Sequence, residues 1–227
     1  MRPREEVEKL IREGNLKGLL LKAGVLHGHF CPMLSLGVIA GTHAMRELSG
    51  ENQGMEEIIA IVETNNCFSD GIQLVTGCTF GNNALVYRDF GKTAVTVMRR
   101  SGDGLRIYVK PEALSNMTEG PDVRDLFEKV VARREGSREE TAELMRRFES
   151  IAFSFLERDF EDLFVVEKVR ASVPEYAPMH ESIICEDCGE STIATRIVER
   201  DGRKLCIPCA KGHYMELNGS GIVEREP

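Results

Sequence analysis

The runs Ala84-Leu85-Val86-Tyr87-Arg88-Asp89, Thr93-Ala94-Val95-Thr96-Val97-Met98-Arg99 and Leu105-Arg106-Ile107-Tyr108-Val109-Lys110 decide the fold class. Each is rich in β-branched and aromatic residues, and Phe90-Gly91-Lys92 and Ser101-Gly102-Asp103-Gly104 separate them. They read as three strands joined by turns, an antiparallel meander. Upstream, Glu57-Ile58-Ile59-Ala60-Ile61-Val62-Glu63 has the β-branched composition of a buried strand and runs into a polar turn at Asn65-Asn66. Downstream, Phe164 to Ala171 supplies one more strand.

Around the strands the apolar period changes to that of helices. Residues 3–23 carry Val7, Leu10, Ile11, Leu19, Leu20 and Leu21 at roughly helical spacing, with a break at Gly14-Asn15. A short helix is expected over Ser69 to Val75. Longer ones are expected over 121–135 and 138–162, where Leu126, Val130, Leu144, Phe148, Ile151, Phe155 and Leu156 mark a buried stripe. The class is therefore α+β, an antiparallel sheet with packed helices, filling residues 1–172.

Between Val25 and Cys31 the chain is expected to be extended. Pro32 then suits the first position of a helix reaching Leu48, which makes Cys31 its N-cap. Gly37 and Gly41 each cost that helix about 1 kcal/mol relative to Ala, so another backbone is expected to approach that face.

The string Val173-Pro174-Glu175-Tyr176-Ala177-Pro178 is stiff and non-helical and marks a linker. Beyond it, residues 180–227 hold Cys185-x-x-Cys188 and Cys206-x-x-Cys209, the spacing of a four-cysteine zinc site. Gly189 supplies a turn after the first pair, and Asp201-Gly202 turns a hairpin that brings up the second. Four thiolates leave no open coordination position, so Zn2+ here is structural. A rubredoxin-type iron would use the same sulfurs. His213 follows closely but reads as a surface residue beside a complete cysteine set.

The chain has 227 residues and a formal charge of −8, with 42% hydrophobic and 29% charged residues. That is the usage of an ordinary folded domain plus a small module. Neither a secretory leader nor an apolar run of about 20 residues is present, so no membrane association is expected. Seven cysteines, four of them in metal-type pairs, point to a reducing compartment, the cytoplasm. The acidic balance makes nucleic acid a poor partner, although Arg196, Arg200, Arg203, Lys204 and Lys211 gather in the C-terminal module.

The core has its own ligand-type residues. In His27-Gly28-His29-Phe30-Cys31-Pro32, two histidines and a cysteine alternate, so an extended chain would send all three to one side. At a helix N-terminus, Cys31 would have a stabilised thiolate and is the candidate catalytic or nucleophilic residue. Cys67 and Cys78 lie in polar loop segments, where binding residues collect. They join His27, His29 and Cys31 as candidate core metal ligands. Thr76, Gly77 and Thr79, with Lys92 as counter-charge, are weaker candidates for an anionic cofactor.

The same string, followed by Cys67, by Thr76-Gly77-Cys78-Thr79-x-Gly81-Asn82 and by Gly91-Lys92, resembles the E-subunit family of formylmethanofuran dehydrogenase, over about residues 15–170. The C-terminal module resembles the treble-clef or zinc-ribbon finger appended to some members. Met33 stands where many members have glycine. The resemblance implies an α+β core, homodimers and a His/Cys-lined cleft that holds a metal. It also implies a link to the molybdenum or tungsten enzyme that reduces carbon dioxide onto methanofuran in methanogenesis. Dehydrogenase activity is not carried over, since the name belongs to a component outside the catalytic core.

Three functions are compatible with these features. One is a metalloprotein whose core binds a second metal ion or small cofactor in support of one-carbon or redox metabolism. Another is an adaptor that docks on a larger oxidoreductase through the zinc module. The third is a nucleic-acid-binding finger, motivated by the local basic residues alone.

Overall fold

The structure is a computed structural model and describes residues 3–50, 52, 54–115, 117 and 121–226. The backbone divides into two compact units, Met1–Val173 and Pro174–Pro227.

In the first unit α1 (Glu5–Glu13) ends at Gly14, whose φ of 66° closes the helix. Asn15 then caps α2 (Leu16–His27) by accepting from the Gly18 amide. Here the expected extended stretch over 25–31 is corrected, because α2 continues through His27 and Gly28, at φ 91°, terminates it. The Phe30 ring folds back over Gly24, where any side chain would collide with it.

Helix α3 (Pro32–Glu47) begins with Pro32 in its first turn and Cys31 as the N-cap, and most of its residues are buried. Strand β1 (Ile58–Val62) and α4 (Cys67–Thr76) follow. After them come β2 (Leu85–Tyr87), β3 (Ala94–Arg99), β4 (Asp103–Val109), α5 (Pro111–Ser115) and α6 (Pro121–Phe127). A π-helical turn over Glu128–Ala132 leads to α7 (Arg138–Phe155), α8 (Phe160–Leu163) and β5 (Phe164–Arg170).

The sheet order is β2-β1-β3-β4-β5. This corrects the meander. β1 inserts between β2 and β3, pairing parallel with β2 (Ala60 with Leu85) and antiparallel with β3 (Ala60 with Val97). Within this sheet, among the described residues, only β3, β4 and β5 run as consecutive antiparallel neighbours. Every residue of β1 is buried, which demands a central position, and α4 makes the crossover that a parallel β1/β2 pair requires.

Ala60, Val62, Val95, Val97, Leu105 and Ile107 face the helices in the main core. Ile59, Ile61 and Met98 form a smaller cluster with Val86, Ala171 and Val173. Helix α7 opens with a capping box in which Ser137 and Glu140 exchange hydrogen bonds. It stops at Phe155 rather than near 162. The chain turns there so that Leu163 is buried and the Phe160 ring stacks on His43 at 3.9 Å and on Phe164 at 4.8 Å.

The second unit is a zinc-ribbon-type module of short hairpins: β6 (Ser182–Ile184) with β7 (Ser191–Ile193), β8 (Ile197–Arg200) with β9 (Arg203–Cys206), and β10 (Tyr214–Asn218) with β11 (Gly221–Arg225). The one-turn α9 (Ile207–Ala210) follows β9 directly. Asp201 and Gly202, at φ 53° and 74°, make the tight β8/β9 turn.

Candidate metal centres

Helices α3 and α4 pack at backbone distance, and that contact builds the core site. A Cβ on Gly37 would collide with the Phe68 carbonyl oxygen, and one on Gly71 would lie 2.6 Å from the Leu34 oxygen and 2.7 Å from the Val38 nitrogen. Only glycines permit this approach. It brings Cys31, at the N-cap of α3, beside Cys67, the first residue of α4. Both thiols thus sit at the positive ends of helix dipoles.

His27, His29, Cys31 and Cys67 each offer a ligand atom, and these atoms all lie within 4.8 Å of one another. The alternation read from the sequence is not what gathers them. His27 closes a helix, Gly28 reverses the chain, and His29 returns beneath it with the two rings 4.4 Å apart. Nδ1 of His27 donates to Oδ2 of Asp70 at 2.7 Å, and Nε2 lies 3.9 Å from Cys31 Sγ. Gln73 donates to the other Asp70 oxygen at 3.0 Å. Asp70 is a site residue that the sequence reading misses; its signal is a carboxylate one helical turn after Cys67.

The neighbouring Cys31 thiol and then His27 lower Cys67 to about 6, while the neighbouring Cys67 and burial push Cys31 up. Burial and then His27 lower His29 and favour its neutral, ligating form. Cys67 is thus the thiol of the pair that ionises more readily.

Cys78 does not join this group. It is fully buried, its thiol donates to the Ile58 carbonyl at 3.2 Å, and Asn52 approaches it at 3.7 Å. Burial pushes its thiol up to about 11. The weaker cofactor residues have structural partners too. Thr76 bonds the Ile72 carbonyl and accepts from the Cys78 amide, and Gly77 is the left-handed C-cap of α4. Thr79 and Asn82 exchange hydrogen bonds. Lys92 is exposed, and its amide bonds the Glu63 carbonyl. The structure does not bring these residues together as an anion cradle.

In the C-terminal unit Cys185, Cys188, Cys206 and Cys209 place their sulfurs within the same 4.8 Å limit. Gly189, at φ 76°, turns the first pair, and its amide bonds the Cys185 carbonyl at 3.0 Å. Cys206 caps α9, and its amide donates to Cys185 Sγ at 3.3 Å, holding that thiol down to about 6. Four convergent thiols, one already held toward its thiolate, fit a structural zinc ion. His213 lies apart from them, near Glu224 and Glu226 at 3.5 and 3.6 Å. Of the basic residues here, Arg203 is engaged by the Glu186 carbonyl and by Asp187.

Comparison with known proteins matches each unit to a family model. Residues 26–165 match the family model described as "FmdE, Molybdenum formylmethanofuran dehydrogenase operon", and 181–214 match the "Prokaryotic dksA/traR C4-type zinc finger". A protein of Archaeoglobus fulgidus named "Probable S-adenosyl-L-methionine-binding protein" is 43% identical over 217 residues, covering 93% of this chain and 57% of that protein. The chain thus spans little more than half the length of that relative. A crystal structure of a tungsten formylmethanofuran dehydrogenase FmdE-like protein from Syntrophus aciditrophicus superposes with a TM-score of 0.53 at 23% identity. It covers 86% of this chain and 91% of its own, a likeness of fold. The chain belongs to the FmdE family and carries a C4-type zinc module at its C-terminal end.

Proposed function

We propose that this protein holds two metal ions of zinc type, a structural one in the C-terminal module and a second in the core at His27, His29, Cys31 and Cys67, and that it serves one-carbon or redox metabolism. The observation that carries the core site is the convergence of two imidazoles and two thiols where two helices begin. A two-nitrogen, two-sulfur set suits zinc and its neighbours. When bound, such an ion supplies a fixed positive charge or, with His29 displaced, a Lewis acid. Asp70 fixes the His27 tautomer so that Nε2 faces the thiols, and Gln73 holds Asp70 in turn. In the finger, Cys185, Cys188, Cys206 and Cys209 are the proposed ligands. A helix beginning at the second pair supports a treble-clef reading.

The test is metal content per full-length chain, purified without added metal. Two ions are expected in the wild type and one in His27→Ala/His29→Ala. Equal stoichiometry in both would sink the core site.

A second reading adds an oligomer and a partner. The family description places FmdE beside molybdenum formylmethanofuran dehydrogenase, which supports docking on a larger oxidoreductase in the cytoplasm. Among the described residues, no helix is long and apolar enough to cross a membrane. Helix α2 exposes Leu21, Val25 and Leu26 at 47%, 87% and 56%, an apolar face that supports self-association as a dimer. Sedimentation of the pure chain and pull-down from native extract test these; a monomer recovered alone contradicts both.

A further inference from the structure

We propose that Cys67 is an oxidation-sensitive thiol and that Cys31 is its resolving partner, so that peroxide closes a Cys31–Cys67 disulfide and dismantles the core site. The closure itself depends on geometry alone; the loss of metal that follows rests on the function proposed above.

Three observations converge on this pair. Their sulfurs lie within 4.8 Å of each other. The helix ends that carry them cannot drift apart, since α3 and α4 are locked at backbone contact around Gly37 and Gly71. A disulfide of about 2.05 Å then asks the two sulfurs to close from within 4.8 Å. The two thiols also differ in access. Cys31 is 5% exposed and Cys67 is half-buried, so an oxidant meets Cys67 first, with Cys31 waiting behind it. This is the arrangement of a redox-sensing cysteine beside a resolving one. Cys78 is fully buried and bonded to a backbone carbonyl, and takes no part.

The steps balance with hydrogen peroxide as the oxidant. The Cys67 sulfur attacks one peroxide oxygen, an S–O bond forms, the O–O bond breaks, and water leaves after taking up a proton. Cys31 sulfur then attacks the Cys67 sulfenic acid, an S–S bond forms, the S–O bond breaks, and a second water carries away the Cys31 proton. Two thiols are oxidised and one peroxide is reduced to two waters. The product has lost both sulfur ligands of the core cluster and keeps only His27 and His29.

The experiment treats the full-length chain, metal-free and zinc-loaded, with one to a few equivalents of hydrogen peroxide, alkylates remaining thiols and maps the peptides by mass spectrometry. A Cys31–Cys67 linkage is expected in the metal-free chain, reversed by dithiothreitol. In Cys31→Ser, Cys67 should instead stop as a sulfenic acid trapped by dimedone. In the zinc-loaded chain, release of core zinc should parallel the linkage. Recovery of Cys31 and Cys67 both alkylated, or of Cys67 as sulfinic acid without the linkage, overturns the proposal. Linkage in a wild-type chain that never holds core metal keeps the disulfide and removes the metal reading, so the two failures are distinguishable.

Discussion

Nδ1 of His27 donates to Asp70 across 2.7 Å, joining the last residue of one helix to the first turn of another. Since the carboxylate accepts, the proton of this bond is on Nδ1, and it is the other nitrogen, Nε2, that lies 3.9 Å from Cys31 Sγ, the placement a metal ligand would need. Asp70→Asn keeps the size but removes the charge and permits the other tautomer. Core metal affinity is expected to fall about 10–100-fold, the usual effect of losing such a support. Competition with a chromogenic chelator measures it, and the finger's zinc serves as an internal control. Unchanged core affinity would detach Asp70 from the site.

The contact between α3 and α4 gives a second expectation. Gly37→Ala forces a methyl into the Phe68 carbonyl, a backbone atom that cannot swing aside. The cost is about 1–3 kcal/mol, the range for overpacking a tight interior. Gly28→Ala, which meets nothing within 4 Å but sits at φ 91°, instead strains the turn that returns His29. Thermal unfolding should separate the two: Gly37→Ala lowers the core's midpoint by several degrees, while Gly28→Ala lowers core metal affinity more than stability. Equal midpoints for Gly37→Ala and wild type would show that the helices can move apart.

Much of this is legible in the sequence, and the parts that are not share a cause. Pro32 and Cys31 announce the start of α3, and Gly37 announces a close neighbour, because both signals are local. The finger is legible because four cysteines at fixed spacing leave few alternatives. The sheet order is not, since nothing local in Ala84–Asp89 says that its partner is β1 rather than β3. His27 reads as part of a strand because alternation over five residues mimics one, whereas Gly28 and the Phe30 ring over Gly24 reverse the chain instead. Asp70 and the exclusion of Cys78 depend on long-range packing, which spacing cannot encode.

The finger should behave as a unit folded by its metal. Cys206 contributes one of the four sulfurs, so Cys206→Ser removes a ligand while leaving in place the backbone amide that holds Cys185. Structural zinc supplies the folding free energy of such modules. In an amide correlation spectrum, resonances from 181–214 are expected to collapse to unfolded positions in the variant, while those of the β1–β5 sheet stay put. Retention of dispersed finger resonances would mean that hairpin packing alone suffices.

The last prediction concerns pH. In the metal-free chain Cys67 is lowered to about 6 from an ordinary value of 9.0, and Cys31 is raised above that value. For Cys67 the folded state has fewer bound protons than the unfolded state between these limits. Its contribution to stability is thus complete above pH 9, shrinks as pH falls, and is gone below pH 6. For Cys31 the sign reverses: the folded state keeps its proton longer, so stability falls as pH rises beyond 9.0. The pair together should favour folding most near pH 9. The measurement is denaturant unfolding of the metal-free chain from pH 5.5 to 10, wild type minus Cys31→Ser/Cys67→Ser, so that finger thiols and carboxylates cancel. A difference that rises to about pH 9 and then declines is expected; a flat difference would mean that the two sulfurs do not share a proton in the folded protein.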